Sequence, residues 1–164
     1  PMDLVYAFQK LPVEGKKLLI VGDGELKQQI EQYVAQEKIK DVILAGFINQ
    51  TDLPNYYHVA DVLVLPSSSE TWGLSVNEAM AAGLAIIVSD SVGCGDDLVV
   101  EGVNGYIYPT GEVDALTDAL VHVCEDAKGE RRMSKASLKI IQNYTLENTA
   151  QGIMRAAGVE GYPR

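Results

Sequence analysis

The sequence is poor in cysteine, with two in 164 residues. Cys94 and Cys124 are too few for a disulfide framework and lack metal-site spacing, so reduced thiols in a cytoplasmic protein are expected. Basic residues are scarce too: 13 Lys+Arg stand against 23 Asp+Glu, a net charge of −10. So acidic a surface repels phosphate backbones, which argues against nucleic acid or direct contact with an anionic membrane. No apolar run approaches the roughly 20 residues of a membrane span. The opening PMDLVYAFQKLP lacks the basic-then-apolar order of a signal peptide. No DxD triplet occurs, and Gly22-Asp23-Gly24 does not continue into GxGxxG, so dinucleotide binding has little support. What is present, 47% hydrophobic and 22% charged residues, is ordinary composition for one globular domain with its own core.

Five short apolar runs stand out: LLIV from 18, VILA from 42, VLVL from 62, AIIV from 85 and YIY from 106. Continuous rather than alternating apolar runs are what a parallel sheet covered on both faces requires. Their spacing leaves room for a helix in each gap, a βαβ rhythm, although the helix before Tyr106 must be short. Leu26, Ile30, Tyr33 and Val34 form one helical stripe, and Leu116, Leu120, Val123 and Cys124 form another. Thr51 is expected to cap a short helix through LPNYYHV. Met133, Ala136, Ile140 and Ile141 mark a further helix. Thr145 caps a last one carrying Leu146, Ala150, Ile153, Met154 and Ala157. The expected fold is α/β, a Rossmann-like parallel sheet of about five or six strands with helices on both faces. Residues 1–157 form its single domain and 158–164 a loose tail. Leu4, Phe8 and Leu11 make a helix that no strand precedes, which suggests a domain excised from a longer protein.

In an open parallel sheet the binding crevice lies beyond the carboxyl ends of the strands. The richest segment there is SSSETWGLSVNEAMAAG, residues 67–83. A strand ends at Pro66, a polar loop follows, and Gly73 lets the backbone approach a ligand as a helix opens near Leu74. Free amides and the positive end of the helix dipole suit an anion such as phosphate. Glu70 and Glu78 bracket that point, and a carboxylate with two acceptor oxygens can hold the paired hydroxyls of a sugar. Diol acceptors on either side of a diphosphate binder outline a nucleotide-sugar. Both glutamates also have a purely structural reading, since acids near a helix start are favoured by its dipole.

SETWGLSVNEAMAAG resembles the E-x₇-E motif of retaining glycosyltransferases of family 4, which have the two-domain GT-B fold. KKLLIVGDGELKQQIEQ, VILAGFI, YYHVADVLVLPS, GLAIIVSDSVGCGDDLVVEGVNGYIYP and YTLENTAQ are similar to family segments in the same order. The resemblance implies the C-terminal, donor-binding half of a GT-B enzyme. That enzyme would transfer a sugar from a nucleoside diphosphate sugar to a hydroxyl acceptor with retention, in polysaccharide or glycoconjugate biosynthesis. It implies that Glu78 grips the ribose diol and that Glu70, the catalytic candidate, meets the donor sugar near the reacting carbon. Gly73 and Leu74 would hold the diphosphate through backbone amides, Thr71 and Trp72 would shape the sugar pocket, and Gly46-Phe47-Ile48 would lie beside the base. Gly22, in the crevice, joins the donor-binding set. The family needs no metal, so no cofactor is expected. An Arg and a Lys that neutralise the diphosphate, and the acceptor-binding N-terminal domain, would precede this chain, and the fragment alone would be inactive. The full enzyme would be cytoplasmic, with room for a peripheral place at the inner membrane face.

Other readings stay in view. A GT-B nucleotide-sugar epimerase or a sucrose-type synthase would share the fold, and a non-catalytic nucleotide-binding or signalling module would share the sheet. A signalling receiver needs an acidic cluster around a phosphorylatable aspartate, which Asp90 and Asp23 do not supply. Neither His58 nor His122 has a partner in a nucleophile motif, so a hydrolase triad is discounted. Cys94, between Gly93 and Gly95, reads as a small, tolerated residue near the crevice, and Asp96-Asp97 as acids opening a short helix.

Overall fold

A computed structural model of the chain describes residues 1–125 and 127–158. Within it the elements run α1 (Met2–Lys10), β1 (Leu18–Val21), α2 (Lys27–Gln36), β2 (Val42–Gly46), α3 (Leu53–His58), β3 (Val62–Leu65), α4 (Leu74–Ala81), β4 (Ala85–Ser89), α5 (Gly95–Leu98), β5 (Gly105–Tyr108), α6 (Val113–Cys124), α7 (Ala127–Ile141) and α8 (Leu146–Ala156). All five expected strands form and all pair in parallel. The helix before β5 is the short α5, four residues long, opened by Asp96 and Asp97 as expected. Of the expected loose tail, residues 159–164 lie outside the described residues.

β4 explains why a continuous apolar run marks a strand. Every one of its residues is buried. Ala85 and Ile87 enter one core with Leu116, Leu120 and Val123 of α6, while Ile86 and Val88 enter a second with Val76, Ala79 and Met80 of α4. Successive side chains point to opposite faces, so the part of a strand covered by helices on both sides, here Ala85 to Val88, is apolar throughout, and buried Ser89 at its end has its hydroxyl bonded to a carbonyl. Full burial of Ile86, Ile87 or Val88 contributes about 1.5–3 kcal/mol each.

The expected single sheet is divided. β1 pairs with β2 in one ladder, and β3, β4 and β5 form another in that order. No described strand bonds to both β1 and β3, so backbone pairing stops between the ladders. α1 joins them through side chains instead. Its Val5 and Phe8 pack with Leu18 of β1 and Ile30 of α2, while Ala7, with Leu11 just beyond, enters the core of β4 and α6. Lys16 fastens the end of α1, its Nζ donating to the Phe8 carbonyl at 2.6 Å and to that of Leu11 and lying 4.8 Å from the Phe8 ring centroid.

Two helix ends correct or support the sequence reading. Thr51 does not cap α3: its hydroxyl donates to the Asn49 side chain, and the helix begins after Asp52 with no side-chain cap. Asn49 organises that turn, its Oδ1 accepting from the Asp52 amide at 3.0 Å and its Nδ2 donating to Asp52 Oδ2 at 2.7 Å. Thr145 does cap α8, accepting from the Asn148 amide at 3.1 Å. Apolar Leu146 and Ile153 of α8 are exposed, and no residue of that helix is buried. Among the described residues no helix is long and apolar enough to cross a membrane.

Candidate functional site

β3 stops at Leu65 because Pro66 has no amide to extend the ladder. The chain then continues as a loop bonded along its length to the loop after β4. The Glu70 amide donates to the Ser91 carbonyl at 3.1 Å, the Gly93 amide to the Glu70 carbonyl at 2.9 Å, and the Cys94 amide to the Trp72 carbonyl at 2.9 Å. The Ser89 hydroxyl donates to the Ser67 carbonyl. Gly93 makes this approach possible: a Cβ there would lie 2.0 Å from the Thr71 carbonyl oxygen. Nothing in the sequence spacing singles out Gly93, whose role appears only once the two loops are paired.

Gly73 turns the loop into α4. It takes the left-handed conformation, φ 101° and ψ 63°, as the residue that opens the helix, and no side chain caps that end. Its α-carbon faces Leu65, Val92 and Cys94, with the nearest side-chain atoms 3.1 Å from where a Cβ would stand. A larger residue would therefore need both a strained backbone and room that is not there. The Val76 amide bonds back to the Gly73 carbonyl at 2.9 Å, while the amides before it in α4 have no intrahelical partner and lie at the positive end of the helix dipole. Leu74, beside them, is exposed.

The two glutamates flank this helix start along the chain, Glu70 in the loop before Gly73 and Glu78 within α4. Glu70 is half-buried, and its Oε1 accepts from the Trp72 amide at 3.3 Å. Glu78 lies on the exposed side of α4, where its Oε2 accepts from the Tyr57 hydroxyl at 2.9 Å. Tyr57 escapes sequence reading because 21 residues and a strand separate it from Glu78; only the packing of α3 on α4 joins them. Trp72 combines two roles. Its ring packs on the core of β4 and α4, and its indole N–H donates to Asn77 Oδ1 at 2.9 Å. Thr71, one residue earlier, is exposed.

Cys94 is fully buried beneath Gly73, and burial pushes its thiol up to about 11. Such a thiol is protonated at neutral pH and is a packing group, as the sequence reading held. Beyond β4, an open cavity of about 310 Å³ is lined by Ser89 to Gly93, Gly95, Asp96 and Ile107. The Asp90 carboxylate, which accepts from the Thr110 hydroxyl and amide, is held below the usual carboxylate range by those bonds. A larger depression, about 350 Å³, lies between α1 and the chain entering β1 and β2, lined by Phe8, Lys16, Lys38 and Lys40 among others. It is at the amino ends of the strands, away from these groups.

Gly22, Phe47 and Ile48 form a second group, at the carboxyl ends of β1 and β2. The Gly22 amide donates to the Gly46 carbonyl at 2.8 Å, and both glycines have positive φ. Phe47 is 78% exposed, and Ile48 is half-buried. Lys27 sits beside Gly46 and pairs with Asp23 at 3.2 Å, and that hydrogen bond is the main cause holding the Asp23 carboxyl below its ordinary range. Among the described residues no hydrogen bond joins this group to the one around Gly73. Glu70 through Leu74 and Glu78 are thus brought around one helix start, and Gly22, Phe47 and Ile48 around another loop pair. No group of three His, Cys, Asp or Glu side chains able to hold a metal occurs among the described residues.

The family model described as glycosyl transferases group 1 matches residues 1–140. The chain is 33% identical over 138 residues to an uncharacterized glycosyltransferase, MJ1607, of Methanocaldococcus jannaschii, covering 82% of this chain and 35% of that protein. It is 30% identical over 143 residues to a UDP-Gal:alpha-D-GlcNAc-diphosphoundecaprenol alpha-1,3-galactosyltransferase of Escherichia coli, covering 86% and 36%. Sucrose-phosphate synthase from Thermosynechococcus elongatus superposes with a TM-score of 0.82 at 28% identity, covering 94% of this chain and 40% of that one. The chain thus spans little more than a third of the length of these curated relatives. With its family model matched over most of its length, the chain belongs to the group 1 glycosyl transferases.

Proposed function

We propose that residues 1–157 are the nucleotide-sugar-binding domain of a retaining glycosyltransferase, working opposite a separate acceptor-binding domain. The observation that carries the reading is the uncapped start of α4 at Gly73, with Glu70 and Glu78 flanking it along the chain. The amides of Gly73 and Leu74 take the diphosphate, and Glu78 takes the ribose diol through charge-assisted hydrogen bonds. Glu70 contacts the donor sugar near its anomeric carbon, with Thr71 and Trp72 walling the sugar pocket. Gly22 and the Gly46-Phe47-Ile48 turn lie along the nucleotide.

In the transfer, the bond from the anomeric carbon to the diphosphate oxygen breaks as one to the acceptor hydroxyl oxygen forms. The acceptor's proton leaves with the nucleoside diphosphate. Charge grows on the leaving diphosphate, so donors already aimed at it lower the barrier without a metal ion. Uridine is the base to test first, since a relative at 30% identity is named for a UDP-sugar. Glycoconjugate or polysaccharide synthesis fits that relative, and a cytoplasmic setting, with peripheral membrane association, fits a nucleotide-sugar user.

Titration with UDP, followed by amide NMR, tests the reading. Shifts centred on residues 70–78 and unchanged by a chelator are expected. Shifts centred on α6, or binding abolished by the chelator, would overturn the donor site or its independence of metal respectively.

A further inference from the structure

Glu78 is an exposed side chain with three rotatable bonds, yet the reading above needs its carboxylate in one place. Ordering such a side chain costs about 1.5–2 kcal/mol, which a ligand must supply unless the protein has done so beforehand. Tyr57 supplies a fixed point. Its ring packs against the core that contains Val76 and Met80 of α4, and its hydroxyl donates to Glu78 Oε2 at 2.9 Å. A tyrosine has only two side-chain torsions, and here packing holds the ring, so little freedom is lost in making the bond. Among the described residues Glu78 has no other hydrogen-bond partner, which leaves Oε1 uncommitted.

We infer that Tyr57 is a positioning residue for donor recognition: it holds one oxygen of Glu78 so that the other is aimed at the ribose hydroxyls. The inference rests on the reading that Glu78 binds the ribose diol. Burial, reinforced by the hydrogen bond and charge of Glu78, raises the phenol well above its ordinary range. The hydroxyl therefore stays a donor at every pH at which the protein would work. A bond that merely ties α3 to α4 would make a different prediction, because its loss would lower stability without regard to which nucleotide is bound.

The test compares UDP with 2′,3′-dideoxy-UDP as ligands of the 164-residue chain, in wild type, Tyr57→Phe, Glu78→Gln and the double variant. Wild type should prefer UDP at least tenfold. Tyr57→Phe keeps the ring and should weaken UDP three- to tenfold while changing the dideoxy ligand less than twofold. In the Glu78→Gln background the same change should have no further effect on UDP. Should Tyr57→Phe not fold, Tyr57→Leu is read in the same way. If wild type binds both ligands equally, Glu78 does not read the diol, and the donor reading falls along with this inference. If wild type prefers UDP but Tyr57→Phe retains the full preference, or loses both ligands alike, the positioning role alone is overturned.

Discussion

The two groups of candidate residues are built on different foundations. Around Gly73 the loop is bonded to a neighbouring loop at three backbone positions and rests on buried Val92 and Cys94, beside a strand with no exposed residue. Around Gly22 one backbone bond, to Gly46, joins the two turns, nothing lies within 4 Å of a Cβ at Gly22, and Phe47 projects into solvent. On the proposed donor reading, the difference follows chemical need. Amides and carboxylates that meet a diphosphate and a reacting sugar must be preorganised to be worth several kcal/mol. A flat base can be held by contact alone, and a looser turn suffices.

The sharpest way to break that comparison is one methyl group at a time. Gly93→Ala places a carbon 2.0 Å from the Thr71 carbonyl oxygen, so one loop must move. We expect a loss of about 3 kcal/mol in chemical denaturation, together with loss of UDP-induced shifts at residues 70–78. Gly22→Ala meets no atom, and only its φ of 125° resists a side chain. Its expected cost is smaller, about 1–2 kcal/mol, with the shifts at residues 70–78 retained. Equal losses at the two sites would erase the distinction.

Alkaline titration gives a milder probe of the packed side. The Cys94 thiol has a pKa of about 11 in the fold against an ordinary 9.0, so folding favours its protonated form. That contribution is complete below pH 9 and is lost as pH rises toward 11, because the unfolded chain ionises first. Denaturation midpoints should fall over this window, and the fall should be shallower in Cys94→Ala, whatever its stability at neutral pH. Smallest of all is Phe47→Ala on the open side. With its ring 78% exposed, stability should change by less than about 0.5 kcal/mol, while UDP affinity falls a few-fold.

Sequence legibility divides along similar lines. β4 was readable as AIIV because burial on both faces leaves Ala85 to Val88 uniformly apolar, and α6 because Leu116, Leu120 and Val123 repeat on one face. The Glu70 to Glu78 interval was readable because both residues lie near one helix start. What sequence could not supply is set by neighbours distant along the chain. Asn49 rather than Thr51 organises the turn before α3 because its amide both accepts and donates across three residues. The division of the sheet depends on which strand edges meet, a relation apolar runs do not encode. Gly93 and Tyr57 matter through partners 22 and 21 positions away, at the Thr71 carbonyl and the Glu78 carboxylate.

The central claim is that Glu78 reads a ribose diol beside the α4 start. Calorimetric titration of UDP and 2′,3′-dideoxy-UDP against wild type and Glu78→Gln tests it most directly. Glu78→Gln is expected to cost UDP about 1.5–3 kcal/mol, roughly 10- to 150-fold, to leave the dideoxy ligand nearly unchanged, and barely to move the unfolding temperature. Equal losses for the two ligands, or a lowered unfolding temperature with no loss of selectivity, would contradict it.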